Sequence, residues 1–155
     1  MPNTPALVRS YEPSDQQAVL ALAPRLRFGV ALWRDPDAVG QSVAGWVRDS
    51  LDRHRDDDRA VLVASAGGQI VGVVTVAERQ HFTGQVDAYV GELVVRADHE
   101  RGGVGTLLMR SAEQWARDRG LRHLTLETGA ANEPARAFYA RLGYHEEDIR
   151  LTTTL

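Results

Sequence analysis

The chain has 155 residues, a formal net charge of −3 at pH 7 and 43% apolar residues, which is typical of one soluble domain with a single core. The small net charge gives no electrostatic footprint for nucleic acid or an anionic membrane, so neither partner is expected. All 18 basic residues are arginines and there is no cysteine, which excludes disulfides, thiolate zinc sites and a cysteine nucleophile.

The first third of the chain predicts one strand and two helices. Residues 7–9 are expected to form a short strand, and residues 1–4 lack the basic and apolar stretches of a leader peptide. No apolar run reaches membrane length, so a cytoplasmic location is expected. A first helix is predicted up to or just past Pro24, and a second begins at Pro36 with Asp35 as its cap.

The middle of the chain predicts an antiparallel meander. Two β-rich runs, residues 60–66 and 69–77, are joined by Gly67-Gly68, which is a strong hairpin signal. A polar stretch then leads to a third apolar strand over residues 89–95. Gly91 inside this strand predicts a bulge or a close approach by a ligand.

A glycine-rich loop follows that strand, and a helix starts directly from it. The loop reads Arg101-Gly102-Gly103-Val104-Gly105, and the helix is predicted to end at Gly120. Backbone N–H groups of such a loop, with the positive end of the helix dipole, favour a phosphate or pyrophosphate ligand. The alternative is that the glycines only make a tight turn.

Two well-known phosphate loops do not fit. A Walker A loop needs a lysine, and the chain has none. A dinucleotide fingerprint would need a third glycine where Leu108 stands, and only about fifty residues follow, too few for the rest of a doubly wound sheet. Beyond the helix, the pattern predicts a strand over residues 121–128 and a helix from Asn132 to Leu142. The tail, residues 144–155, is predicted to form a final hairpin or a bent pair of strands.

Two motifs carry a resemblance to a known family. Residues 100–105 resemble the pyrophosphate loop Q/R-x-x-G-x-G/A, and residues 132–144 resemble the signature N-x-x-A-x-x-F-Y-x-x-x-G-F/Y. Together they identify the chain as similar to the GNAT superfamily of N-acetyltransferases. The resemblance implies one domain over residues 1–155 of the α/β (α+β) class. It would be a three-layer α-β-α fold with about four helices and a mixed, mostly antiparallel sheet of about six to seven strands.

The resemblance also implies an activity. The chain would move the acetyl group of acetyl-CoA directly to a primary amine, of a small molecule or a protein, within a ternary complex. The alternative is a catalytically silent acyl-CoA-binding sensor or interaction module. A homodimer is expected by family analogy. One departure from the motif is Glu100, where the family commonly has Gln or Arg, because a carboxylate near a pyrophosphate is unfavourable unless it points away.

Site residues follow from the same resemblance. The strand would offer main-chain groups to the pantetheine arm and the acyl carbonyl, the loop would hold the pyrophosphate, Asn132 would contact the pantetheine arm, and Tyr139 would lie near the thioester sulfur. The full set of predicted cofactor-binding residues is Leu93, Val94, Val95, Arg101, Gly102, Gly103, Val104, Gly105, Thr106, Asn132 and Tyr139.

The chemistry needs a base and an acid. An alkyl amine with a pKa near 10.4 is neutral only about once in 2,500 molecules at pH 7, so a carboxylate or a water relay must take its proton. Glu92 is the first candidate, as an acid in an apolar strand that points opposite to its neighbours; a solvent-facing or salt-bridged glutamate is the alternative. Glu127 and His81 are weaker candidates. Tyr139 is predicted to protonate the coenzyme thiolate, with a core tyrosine as the alternative.

The remaining aromatic and histidine residues divide into three groups. Phe28 and Trp33 flank an irregular segment and are candidates for the lining of an acceptor pocket. Trp46 and Trp115 lie on apolar helix faces and are expected in the core. The other histidines show no metal-ligand spacing, so no metal is expected; they are His54, His99, His123 and His145.

Overall fold

The computed structural model describes residues 4–155. Its elements, in chain order, are β1 Leu7–Ser10, α1 Gln16–Leu22, α2 Pro36–Asp52, β2 Arg59–Ala66, β3 Gln69–Gln80, β4 Val86–Val95, α3 Val104–Asp118, β5 Leu124–Leu126 and α4 Glu133–Arg141. A 3-10 turn, Ala23–Arg27, extends α1, and another, Ala97–His99, follows β4. The leader-peptide and one-domain predictions involve residues 1–3, which lie outside the described residues, and both stay predictions.

The five strands form one sheet in the order β1-β2-β3-β4-β5. The first four are antiparallel to their neighbours, and β5 runs parallel to β4. The predicted meander is therefore confirmed. Gly67 and Gly68 both have positive φ angles, 56° and 77°, as a tight two-residue hairpin turn requires.

The strand count is lower than the predicted six to seven. Strand β5 spans three residues instead of the eight predicted over 121–128, and the predicted hairpin over 144–155 is absent from the described chain. Residues 145–148 are all polar or charged, and no Gly, Asn or Pro follows them to reverse the chain. Ile149 and Leu151 are 75% and 89% exposed, so the tail buries too little to order a further pair of strands.

Helices cover both faces of the sheet. On one face, α1 and α2 pack against Val63, Val73 and Val94. On the other face, Leu108 and Met109 of α3 are fully buried against β3 and β4. The predicted three-layer arrangement is confirmed, with the sheet as the middle layer.

A bulge interrupts β4 where the sequence predicts one. Val74 of β3 pairs with Leu93, whereas Val76 pairs with Val90, so Thr75 lies opposite two residues, Gly91 and Glu92. A Cβ at position 91 would lie 3.1 Å from the Thr75 hydroxyl. Glycine thus lets the Thr75 side chain reach across the bulge.

Strands β4 and β5 separate after a short contact. They pair only over Ala88–Val90 and Leu124–Leu126, while β4 continues to Val95. Within residues 4–155, the last five residues of β4 therefore have no strand partner on this side. The gap opens next to the start of α3, and it defines the position of the candidate site.

Candidate active site

The glycine-rich loop has the backbone of an anion site. Gly103 has a φ of 82° and precedes α3, and Arg101 has a φ of 60°, which is uncommon for a residue with a side chain. No side chain of the described residues caps α3, so its first N–H groups are free to bind a ligand. The predicted loop residues Gly102, Val104 and Thr106 lie on this same turn.

Gly105 has a packing reason as well. A Cβ there would lie 3.3 Å from the ring of Phe138 in α4 and 3.7 Å from Val95. The missing side chain lets α4 approach the first turn of α3. The two sequence motifs, about thirty residues apart, are therefore in direct contact.

Glu100 forms an ion pair with Arg25. The same guanidinium donates a hydrogen bond from Nε to the Val95 carbonyl at 2.9 Å and lies 5.6 Å from the centroid of the Phe28 ring. A carboxylate held by a cation repels a nearby diphosphate less than a free one does. Sequence reasoning missed Arg25, because nothing in the pattern links it to a residue 75 positions away.

Glu92 is buried on the α2 side of the sheet, opposite to Leu93 and Val95, as the strand alternation predicts. The hydroxyls of Thr75 and Ser50 both donate hydrogen bonds to its Oε2 atom, the second at 3.0 Å. Burial raises the pKa of the Glu92 carboxyl, and the two hydroxyls act against that rise. A buried carboxyl with a raised pKa has the character of a general base for neutral pH.

A small cavity adjoins the two residues whose hydroxyls bind this carboxyl. It has a volume of about 170 Å³, and its lining includes Ser50, Thr75, Tyr89 and Gly91. The bulge makes this lining, since it lets Tyr89 and Glu92 face the same side of β4 although they are three residues apart.

Tyr139 lies on α4 and packs against the core on the α3 side of the sheet. Its ring meets those of Phe138 and Tyr144 edge to face, at 5.1 and 5.8 Å. Burial raises the pKa of its hydroxyl to about 12, so the phenol stays protonated at neutral pH and can donate. Glu92 and Tyr139 therefore lie on opposite faces of the sheet, on either side of the layer that contains the gap.

Asn132 connects the start of α4 to the segment between α1 and α2. Its Oδ1 atom accepts a hydrogen bond from the Ala135 N–H at 3.3 Å, which confirms the predicted cap of α4. Its Nδ2 atom donates to the Phe28 carbonyl at 3.4 Å. Gly29 packs so closely on Asn132 and Gly129 that a side chain at position 29 or 129 would clash. The segment between α1 and α2 thus contacts the loop between β5 and α4.

The structure also shows the surroundings of the other candidate residues, Glu127, His81 and the two tryptophans. Glu127 is exposed, with its Oε1 atom 3.5 Å from the Arg79 guanidinium, and the His81 Nε2 atom lies 3.7 Å from Oε1 of Glu147. A role for either residue as the base stays a prediction. Trp115 packs against the core as predicted. The core prediction for Trp46 is wrong, since its side chain is 55% exposed. The buried stripe of α2 consists of Val43, Val47 and Leu51, and Trp46 falls beside it.

Phe28 and Trp33 are also exposed, by 67% and 66%, and a role in an acceptor pocket stays a prediction. Across residues 4–155, no cluster of three or more potential metal ligands is present. None of the helices described here is both long and apolar enough to cross a membrane.

Comparison with known proteins agrees with this architecture. Residues 25–144 match the model of the acetyltransferase (GNAT) family. A dTDP-fucosamine acetyltransferase of Escherichia coli O6:H1 is 31% identical over 87% of the chain and 55% of its own length. A streptothricin acetyltransferase of Streptomyces lavendulae is 32% identical over 62% of the chain and 49% of its own length. The chain thus spans about half the length of these curated relatives.

A solved aminoglycoside N-acetyltransferase in complex with CoA shares the fold. Its TM-score is 0.73 at 16% identity, with 100% of this chain and 98% of that chain covered. The family model matches more than three quarters of the sequence, and the glycine loop, the bulged strand and the capped short helix lie together in the structure. The chain belongs to the GNAT family of acetyltransferases.

Proposed function

We propose that the chain transfers the acetyl group of acetyl-CoA to a primary amine. The observation that carries the proposal is the gap that opens where β4 leaves β5, next to the uncapped start of α3. The free N–H groups of that turn suit a diphosphate, and we assign the acid–base chemistry to Glu92 and Tyr139, which lie on opposite faces of the sheet. The absence of cysteine favours direct transfer over a cysteine acyl-enzyme.

The loop and strand would bind the coenzyme. The N–H groups between Arg101 and Thr106 hold the diphosphate, and main-chain groups of residues 93–95 lie along the gap. The Val95 carbonyl already accepts a hydrogen bond from Arg25, so its second lone pair serves the pantetheine arm. Bound acetyl-CoA supplies a thioester whose acyl carbon the amine attacks.

Glu92 and Tyr139 would move the protons. Glu92 in its ionised form accepts a proton from the ammonium form of the acceptor, which leaves the neutral amine that forms the new C–N bond. As the C–S bond breaks, the protonated Tyr139 hydroxyl donates to the sulfur that leaves. Its pKa of about 12 makes it a hydrogen-bond donor throughout the neutral range.

The acceptor is proposed only as an amine of a small molecule or of a protein. The names of the relatives refer to an amino sugar nucleotide and an antibiotic, streptothricin, and the fold neighbour to aminoglycosides. These substrates belong to those proteins, and they define a sensible panel for this one. A homodimer and a cytoplasmic location stay predictions.

The test mixes purified protein with acetyl-CoA and a panel of amines, and follows the release of free thiol. The panel contains an aminoglycoside, an amino sugar nucleotide, a polyamine and a peptide with a free N-terminus. Thiol release that depends on one of these amines is expected. CoA at about 100 times its Kd should also raise the Tm by about 5–10 °C, from about 2.7 kcal/mol of linkage. Stabilisation without turnover on any amine would instead indicate a binding module.

A further inference from the structure

Two hydroxyl groups from different layers of the fold bind the same oxygen of Glu92. Thr75 comes from β3 and Ser50 from α2, and both donate to Oε2. Thr75 is 6% exposed, as is Glu92 itself. The Thr75 hydroxyl oxygen also accepts a hydrogen bond from the Glu92 N–H at 3.0 Å, so it joins the main chain and the carboxylate of the same residue.

The other oxygen of the carboxylate is left available. Among residues 4–155, no hydrogen bond to Oε1 is formed, and no side-chain oxygen is both fully buried and without a partner. Oε1 is therefore not fully enclosed, and the two residues whose hydroxyls hold Oε2 line the adjoining cavity. A carboxylate held by one oxygen can accept a proton on the other without losing its orientation.

We propose that Ser50 and Thr75 are positioning residues that hold Oε2 of Glu92 and present Oε1 to the acceptor amine. This inference rests on the proposed function, in which Glu92 is the base. In the step concerned, one proton leaves the ammonium nitrogen and bonds to Oε1, and the nitrogen keeps the electron pair that attacks the acyl carbon. The two hydroxyls keep their own protons throughout.

Ser50 also connects helix α2 to Glu92. Helix α2 packs on the sheet through Val43, Val47 and Leu51, and Ser50 is the point at which this helix bonds to the base. A shift of α2 would therefore move the carboxylate together with the wall of the cavity. Other charged or titratable groups near Glu92 are Asp49 on α2, Arg59 on β2 and Tyr89 on β4.

The experiment compares Thr75→Val and Ser50→Ala with the wild-type protein, using the amine that the panel identifies. Thr75→Val keeps the shape but loses the hydroxyl, and Ser50→Ala introduces a good helix former. Each loss removes a donor to the ionised carboxylate, so the acid limb of the kcat/KM profile should move up by about one pH unit. The kcat on the plateau should fall about tenfold, with the KM for acetyl-CoA unchanged.

Two controls separate positioning from packing. Thr75→Ser restores the hydroxyl and should return the pH profile to that of the wild type. Ser42→Ala makes the same substitution on an exposed position of α2 and should leave rate and profile unchanged. The Tm of each variant shows that it is folded.

A second readout does not depend on turnover. The ¹³C shift of the Glu92 carboxyl, followed by NMR against pH, should titrate at higher pH in Thr75→Val and Ser50→Ala. Titration at the wild-type pH in both variants would overturn the inference. So would a pH–rate profile that Glu92→Gln changes and these two variants do not, and the proposed function would then still stand. A wild-type protein without turnover on any amine overturns both.

Discussion

The packing of Tyr139 bears directly on the chemistry that we propose for it. Its ring is fixed between Phe138 and Tyr144, and the burial that fixes it also raises the pKa of its hydroxyl to about 12. In the proposed mechanism, a phenol with this pKa would not ionise to compete with the leaving thiolate as an acceptor. The same burial would then orient the donor and keep its proton in place.

Replacement of Tyr139 by Phe tests that role at the residue scale. The variant keeps the ring and loses the hydroxyl, so we expect kcat to fall by at least tenfold, while the Kd of acetyl-CoA, measured by calorimetry, stays within twofold. Tyr144→Phe is the matched control. Its hydroxyl donates to Glu113 at 3.0 Å, so its loss should lower the Tm and leave kcat unchanged. Equal kcat values for wild type and Tyr139→Phe would remove Tyr139 from the mechanism.

At the scale of elements, the phosphate loop depends on a partner from the other end of the chain. The 3-10 turn after α1 carries Arg25, which pairs with Glu100 and also binds the carbonyl at the end of β4. The pair lies at the surface, with 27% and 53% of the two side chains exposed, so its contribution to folding is small. In the proposed function, the pair would instead act by reducing the negative charge that the loop presents to a diphosphate.

A double-mutant cycle tests this coupling. Arg25→Met leaves Glu100 as an unpaired carboxylate beside the loop, and we expect the Kd of CoA, measured by calorimetry, to rise roughly threefold to tenfold. The double variant with Glu100→Gln should recover most of that loss, and the rest reports on the bond to Val95. Arg27→Met, on the same turn, should bind CoA like the wild type. An unchanged Kd in Arg25→Met would show that the pair has no part in binding.

The sequence predicts some elements better than others for identifiable reasons. The hairpin at Gly67-Gly68, the start of α2 at Pro36 and the cap of α4 at Asn132 depend on local turn and cap chemistry, and all three are confirmed. The conformation of the tail and the burial of Trp46 depend on which apolar residues pack against another element. The pattern of a single strand or helix does not specify this. The extended prediction over residues 121–128 fails for the same reason, since only residues 124–126 reach β4.

The candidate site divides in the same way. The glycine loop and Tyr139 belong to contiguous motifs, and Glu92 stands out as an acid in an apolar strand, so the sequence alone could propose all three. Ser50, Thr75 and Arg25 could not be proposed in this way, because each reaches the site across a gap in sequence of 17 to 75 residues. Serine, threonine and arginine are also common at surfaces, so their presence alone carries no signal.

For the molecule as a whole, buried carboxyls set opposite trends of stability with pH. Arg9 holds the pKa of Asp15 below its ordinary value. The contribution of this ion pair to the free energy of unfolding is therefore present above about pH 3.8 and is lost as the pH falls further. Burial raises the pKa of Glu92. At a pH above 4.5, the ordinary pKa of a glutamate, the folded chain binds more protons at Glu92 than the unfolded chain does. The contribution of Glu92 to the free energy of unfolding therefore declines as the pH rises.

Glu92→Gln should therefore lower the activity of the protein and raise its stability. The amide stays neutral, and we expect the free energy of unfolding of the variant, relative to the wild type, to increase from pH 4.5 upward until the wild-type carboxyl is fully ionised. Urea denaturation at several pH values measures it. Glu127→Gln, the same substitution at an exposed glutamate, is the matched control. A Glu92→Gln curve parallel to that of the wild type over this window would contradict the prediction.

The bulge in β4 has a consequence for how this chain tolerates change in length. The bulge adds one residue opposite Thr75, so the alternation of side chains between the two faces of the sheet is shifted by one residue from one half of the strand to the other. Removal of any single residue between Tyr89 and Glu92 would bring the two halves back into phase and turn one half inside out, with valines to the wrong helix layer or the carboxylate to the α3 side. We therefore expect insertions and deletions here to be more damaging than substitutions, because they would remove the proposed base from its present position.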